Sequence, residues 1–190
     1  MSRFRELIEA VIEENRKALL DMEDSEVQRL VDEIARAKKV QVFGMGRMKC
    51  AVRAFVMRLM HMGLDAHVVY DTTCPNIGRG DLLISNCGCT AVDLVVIGLG
   101  KKAGAKVCVV TAHPESEAGR LADFTVKLRG QINPGNQSEI PSIQPMAALF
   151  EQAIFLFEDI VVMLLMEKLE ATPAKMERRH TNLDGYMSID

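Results

Sequence analysis

The chain contains no tryptophan, and aromatic residues fill only 5% of its 190 positions. That scarcity excludes an aromatic platform on which nucleic-acid bases stack. An excess of basic charge is also missing: 23 Lys and Arg stand against 26 Asp and Glu, for a net charge of −3. Such a balance gives no general attraction to nucleic acid or to an anionic membrane. No apolar run reaches the ~20 clean residues that a membrane span needs. The strongest, Ile154 to Met166, is interrupted by Glu158 and Asp159 and reads as a buried helix. The five cysteines form no C-x-x-C pair, and Cys87-Gly88-Cys89 misses the spacing of a zinc site, so no metal is expected. Their odd number and the charged amphipathic start, which does not read as a signal peptide, predict a reducing, cytoplasmic setting.

Hydrophobic residues make up 48% of the chain, enough for a sizeable core in one domain. Phe4, Leu7, Ile8, Val11 and Ile12 follow the spacing of an amphipathic helix. A second helix is expected after Ser25, capped by Asp24 or Ser25, with Val27, Leu30, Val31 and Ile34 on one face. From Val40 the rhythm becomes strand–helix alternation. Strands are predicted at 40–43, 66–70, 82–85, 106–111 and 124–128, and helices over 48–62, stopping at Gly63, and over 90–102, stopping at Gly104. Gly130 to Pro145 reads as a loop, 146–168 as a long helix, and Thr172-Pro173 as the start of a short capped one. The fold class is therefore α/β, a three-layer αβα sandwich around a five-stranded parallel sheet. Within one domain, 1–39 supplies N-terminal helices, 40–130 the α/β core, 145–170 the long helix and 171–190 the tail.

In such a sheet ligands gather at the carboxyl ends of the strands. That edge collects Gly44 to Arg47, Asp71 to Thr73, Ser85 to Thr90 and Thr111 to Ser116. The turn Ser85-Asn86-Cys87-Gly88-Cys89-Thr90 lies between a strand and a helix, where backbone N–H groups and the helix N-terminus favour an anion. Arg47 and Lys49 can add positive charge beside it. Gly44-Met45-Gly46 resembles the start of a dinucleotide fingerprint, but Lys49 replaces its third glycine, so no nucleotide cofactor is expected. His113 follows the fourth strand at the same edge, and His61 reads as a helix C-terminal cap. Glu151 is a carboxylate in an apolar run, where burial would raise its pKa toward that of a useful base.

Several segments together resemble the sugar isomerase (SIS) domain family, and within it the 6-phospho-3-hexuloisomerases. They are Val42 to Arg47, Ala54 to Gly63, the residues Ser85, Gly88 and Thr90, then Gly104 to Val107, Met146 to Glu151 and Arg179 to Leu183. The resemblance implies a flavodoxin-like SIS fold and a cofactor-free aldose–ketose isomerisation of a sugar phosphate, a hexulose 6-phosphate, through an enediolate. It implies Glu151 as the general base and His180 as the ring-opening or proton-shuttling group, often reaching a neighbouring subunit. It implies that Gly46, Arg47, Lys49, Ser85, Cys87, Gly88, Cys89 and Thr90 surround the phosphate. It further implies a homo-oligomer, dimer or tetramer, with sites shared between chains.

The chain departs from the family pattern at Met48 and Lys49, where Ser-Gly is expected, and at Asn86, Cys87 and Cys89, where Gly, Ser and Glu are expected. A thiol is a weak donor and a thioether donates nothing. These replacements keep two other readings open. One is a divergent, non-catalytic SIS domain that binds or senses a metabolite. The other is a redox protein using Cys87 and Cys89 at a helix start.

Overall fold

The computed structural model describes residues 2–87, 90–133 and 135–183. Seven helices and five strands follow in the order α1 (Arg3–Leu20), α2 (Asp24–Arg36), β1 (Val40–Phe43), α3 (Met48–Met62), β2 (Ala66–Val68), β3 (Leu82–Asn86), α4 (Ala91–Ala103), β4 (Lys106–Thr111), α5 (Glu117–Leu121), β5 (Phe124–Lys127), α6 (Ala148–Lys168) and α7 (Pro173–Glu177). All strand pairs are parallel, and the sheet order is β2-β1-β3-β4-β5. This is the doubly wound order in which the direction of strand addition reverses between β1 and β3.

The strands are covered on both sides because both of their faces are apolar. Val40, Val42, Leu82, Ile84, Cys108, Val110 and Val126 pack under α2, α3 and α6. The intervening Phe43, Leu83, Val107 and Val109 pack under α4 and α5, through Val96, Ile97 and Ala118. Alternation of side chains along each strand sorts them into these two layers. The sandwich expected from the sequence is thus the one observed.

Glycines end two helices where they were expected to. Gly63 (φ 92°) and Gly104 (φ 86°) are left-handed caps that send the chain back toward the sheet. Other boundaries differ for local reasons. β2 stops at Val68 because Tyr70 turns to φ 68°. α6 begins at Ala148 because Met146 stands at φ 56°. α2 starts at Asp24 with Glu23 as its N-cap, so neither Asp24 nor Ser25 is the cap. Thr90 lies just outside α4 as its N-cap. The five-residue α5, capped by Ser116, has no counterpart in the sequence reading.

The segment between β5 and α6 is fastened by carboxylates. Buried Glu139 accepts from the N–H groups of Ile132 and Asn133, and its other oxygen lies 2.7 Å from His113 Nε2. Glu14 of α1 accepts from Ser142 Oγ, the Ile143 N–H and Gln144 Nε2. Among the described residues no helix is long and apolar enough to cross a membrane.

Candidate active site

The carboxyl ends of β1 and β3 lie side by side, with Phe43 opposite Ser85. From β1 the chain passes through Gly46 (φ 56°) and Arg47 into α3, on one side of the sheet. From β3 it passes through Asn86 and Cys87 toward Thr90 and α4, on the other side. A crevice at such a reversal is the general ligand position of open α/β sheets.

α6 packs against α3, and its first turn brings Glu151 to the start of that helix. Glu151 Oε2 accepts from Arg47 Nη1 at 2.8 Å. The carboxylate is largely covered, 18% exposed, whereas the Arg47 side chain is 63% exposed. Glu151 and Arg47 border a cleft of 620 Å³ between α1, α3 and α6, with Asn15, Cys50, Gln152 and Phe155 among its walls. An amide chain runs beside it: Asn15 Nδ2 donates to Gln152 Oε1, and Gln152 Nε2 donates to Gln144 Oε1. These bonds hold the helix turn that carries Glu151, with the carboxylate facing the cleft.

The expected anion-binding residues divide between two neighbourhoods. Lys49 reaches Asp71 (3.7 Å), a carboxylate that Arg53 also approaches (3.4 Å). Met48 is buried in the α3 layer and offers no donor. Ser85 is fully buried at the end of β3, and among the described residues its hydroxyl has no hydrogen-bond partner. Cys87 is buried in the α4 layer, with its N–H donating to the Val110 carbonyl. Gly88 and Cys89 lie outside the described residues.

Thr90 is tied to its own helix. Its backbone N–H and its hydroxyl both donate to Asp93 Oδ2, at 2.7 and 2.8 Å, and its Oγ1 accepts from the Asp93 N–H. This capping box places a buried carboxylate in the first turn of α4. An anion at this turn therefore competes with Asp93 for the Thr90 donors. The spacing Thr90-x-x-Asp93 is a cap signature visible in the sequence, although the reading did not use it.

His180 lies at the other end of α3. Its ring centroid is 5.2 Å from that of buried His61. Burial first, then the charges of His180 and Arg58, lower the His61 pKa. Arg179 lies over Gly63, where a Cβ would come within 2.9 Å of its guanidinium. α3 spans 15 residues, so its ends are on the order of 20 Å apart at ~1.5 Å per residue. One chain therefore does not bring Glu151 and His180 together. His113, expected at the ligand edge, is paired with Glu139 and lies 3.3 Å from Glu115. Among the described residues no group of three or more His, Cys, Asp or Glu side chains is arranged to hold a metal ion.

The doubly wound parallel sheet, with Glu151 and Arg47 at the start of α3, agrees with the sugar isomerase fold that the sequence resembles. Comparison with known proteins narrows it. The 3-hexulose-6-phosphate isomerase of Bacillus subtilis (strain 168) is 32% identical over 181 residues, covering 94% of this chain and 98% of the relative. That of Mycobacterium gastri is 35% identical over 165 residues, covering 86% and 82%. A crystal structure of a Methanococcus jannaschii protein, from which a 3-hexulose-6-phosphate isomerase function was inferred, superposes with a TM-score of 0.79. Its identity is 28%, over 94% of this chain and 99% of that one. No family model matches the chain. The chain belongs to the 3-hexulose-6-phosphate isomerase family.

Proposed function

We propose that this protein is an isomerase that interconverts a hexulose 6-phosphate with an isomeric sugar phosphate, and that Glu151 is its base. The observation that carries the role of Glu151 is its carboxylate at the cleft wall, 2.8 Å from Arg47, in the first turn of α6. A carboxylate that removes the proton between a carbonyl and its neighbouring hydroxyl carbon produces an enediolate. Returning that proton to the adjacent carbon completes the isomerisation. One carbon is oxidised and its neighbour reduced within a single substrate, so electrons balance without a co-reactant.

Arg47 supports this role by keeping a cation beside the carboxylate, and its exposed guanidinium can also meet the oxygens of an enediolate. The phosphate is assigned to the turn after β3, with Ser85, Cys87, Gly88, Cys89 and Thr90, and to Gly46, Arg47 and Lys49 across the crevice. The unpartnered Ser85 hydroxyl supplies a donor there. His180, standing a helix length from Glu151 of its own chain, serves the site of a second copy, where it opens the sugar ring or moves protons between the oxygens. Exposed apolar side chains support such an assembly: Phe4 and Ile12 on α1, and Phe155, Leu156, Ile160 and Met163 on α6.

A second reading, a sugar-phosphate-binding protein without turnover, is favoured by one observation, the hold of Asp93 on both Thr90 donors. Glu151→Gln separates the two. As an isomerase, the protein loses roughly a hundredfold to ten-thousandfold in kcat, in line with general-base removal, while a sugar phosphate still raises its Tm. Equal turnover in the variant removes Glu151 from the mechanism. Ligand-induced stabilisation of the wild type with no turnover selects the binding protein.

A further inference from the structure

Glu158 is a carboxyl buried in the apolar core, 4% exposed, on the helix that carries Glu151. Among the described residues no cation lies within ion-pair distance of it. Among the described residues its one hydrogen bond comes from Asn86, whose Nδ2 donates to Oε1 at 2.8 Å. Two atoms of this pair, Glu158 Oε2 and Asn86 Oδ1, are buried without a partner. As a carboxylate, Glu158 would present only acceptors, and Asn86 Oδ1 is an acceptor too. Burying such an unpaired charge is costly, and a proton on the carboxyl removes the cost. That proton also supplies the missing donor. A neutral carboxyl offers one donor and one acceptor, and facing a primary amide it can complete a ring of two hydrogen bonds.

The position of this pair gives it consequence. Asn86 is the last residue of β3, and the next N–H, that of Cys87, is pinned to the Val110 carbonyl of β4. Asn86 is therefore the root of the turn that ends at Thr90. Glu158 stands two helical turns, about 10 Å, beyond Glu151 on the same face of α6. The negative charge nearest in sequence, Asp159, favours the neutral form of Glu158. Several charged groups on the helices packed on α6 have other partners: Glu14 of α1 with Ser142 and Gln144, Asp32 of α2 with Lys168, and Arg47 before α3 with Glu151.

We propose that Glu158 is a positioning residue, held as a neutral acid in a two-bond ring with Asn86, that fixes the end of β3, where the turn toward Thr90 begins, at a set distance from Glu151. The role of the ring in the reaction rests on the reading above, in which that turn holds the phosphate.

The test compares wild type with Glu158→Gln and Glu158→Leu in the full chain. Gln reproduces the ring as an amide pair, so Glu158→Gln keeps kcat and KM for hexulose 6-phosphate within about twofold. Leu removes both bonds, so Glu158→Leu raises KM about tenfold or more with a smaller change in kcat. Infrared difference spectra between wild type and Glu158→Gln show a protonated-carboxyl C=O band at neutral pH. The proposal is overturned if that band is absent, if Glu158→Gln fails as badly as Glu158→Leu, or if Glu158→Leu leaves KM unchanged. A wild type that turns over no sugar phosphate sinks the isomerase reading instead. The ring is then judged by the infrared band and by denaturant unfolding at or below pH 4.5, where Glu158→Gln must match wild type and Glu158→Leu must be less stable.

Discussion

At the scale of single residues, Asp93 bears most directly on the proposed phosphate turn. Its carboxylate already holds the Thr90 hydroxyl and N–H, the donors that the turn would offer to a phosphate. Replacing it frees them at the expense of a helix cap. Asp93→Ala should lower KM for hexulose 6-phosphate by roughly threefold or more, since a charge-assisted donor is released to the ligand. The lost cap should cost about 1 kcal/mol, which lowers Tm by about 2–4 °C in a chain of this size. Steady-state kinetics and a thermal melt read both effects. A raised KM would show instead that the capping box shapes the turn for its ligand. The sequence reading assigned no role to either Asp93 or Glu158, for different reasons. Thr90-x-x-Asp93 is a local pattern open to reading. Glu158 finds Asn86 72 positions away, and only the fold brings those two together.

At the scale of elements, Glu158 makes a prediction about pH and the stability of the α6–β3 contact. Burial raises its pKa from 4.5 to about 8, with the Asn86 hydrogen bond opposing and Asp159 reinforcing that shift. A raised folded-state pKa means that the native state keeps a proton which the unfolded chain has lost. Stability from this group is fully present below pH 4.5 and is lost as pH rises to about 8. Urea unfolding at a series of pH values should therefore show wild type losing stability relative to Glu158→Gln across that window. A constant difference between the two would contradict it.

The elements themselves were largely legible. Short β-branched runs, the two glycine stops and the long apolar stretch located every strand and α3, α4 and α6 to within one or two residues. The misses follow from backbone events that local composition does not announce. Left-handed turns at Tyr70 and Met146 shortened β2 and α6. α5 has only five residues, too few for a periodic pattern. The meeting of His61 with His180 was equally hidden, because it depends on α7 folding back along α3.

At the scale of the whole molecule, the placement of Glu151 and His180 at opposite ends of α3 is the feature with the widest consequence. Proximity of catalytic groups is worth many powers of ten, so with the proposed roles a base at Glu151 and a proton shuttle at His180 do not serve one site from the same chain. In the proposed shared site a second copy closes that separation, and the exposed apolar side chains of α1 and α6 are a surface it would bury. Two inactive variants test this shared site directly. Glu151→Gln and His180→Ala are each expected to be inactive alone on hexulose 6-phosphate. Co-expressed in equal amounts, they should recover about a quarter of wild-type activity, because half of the dimers are mixed and each mixed dimer holds one intact site. A mixture as inactive as its components, in an assembly shown to contain both variants, would contradict the shared site.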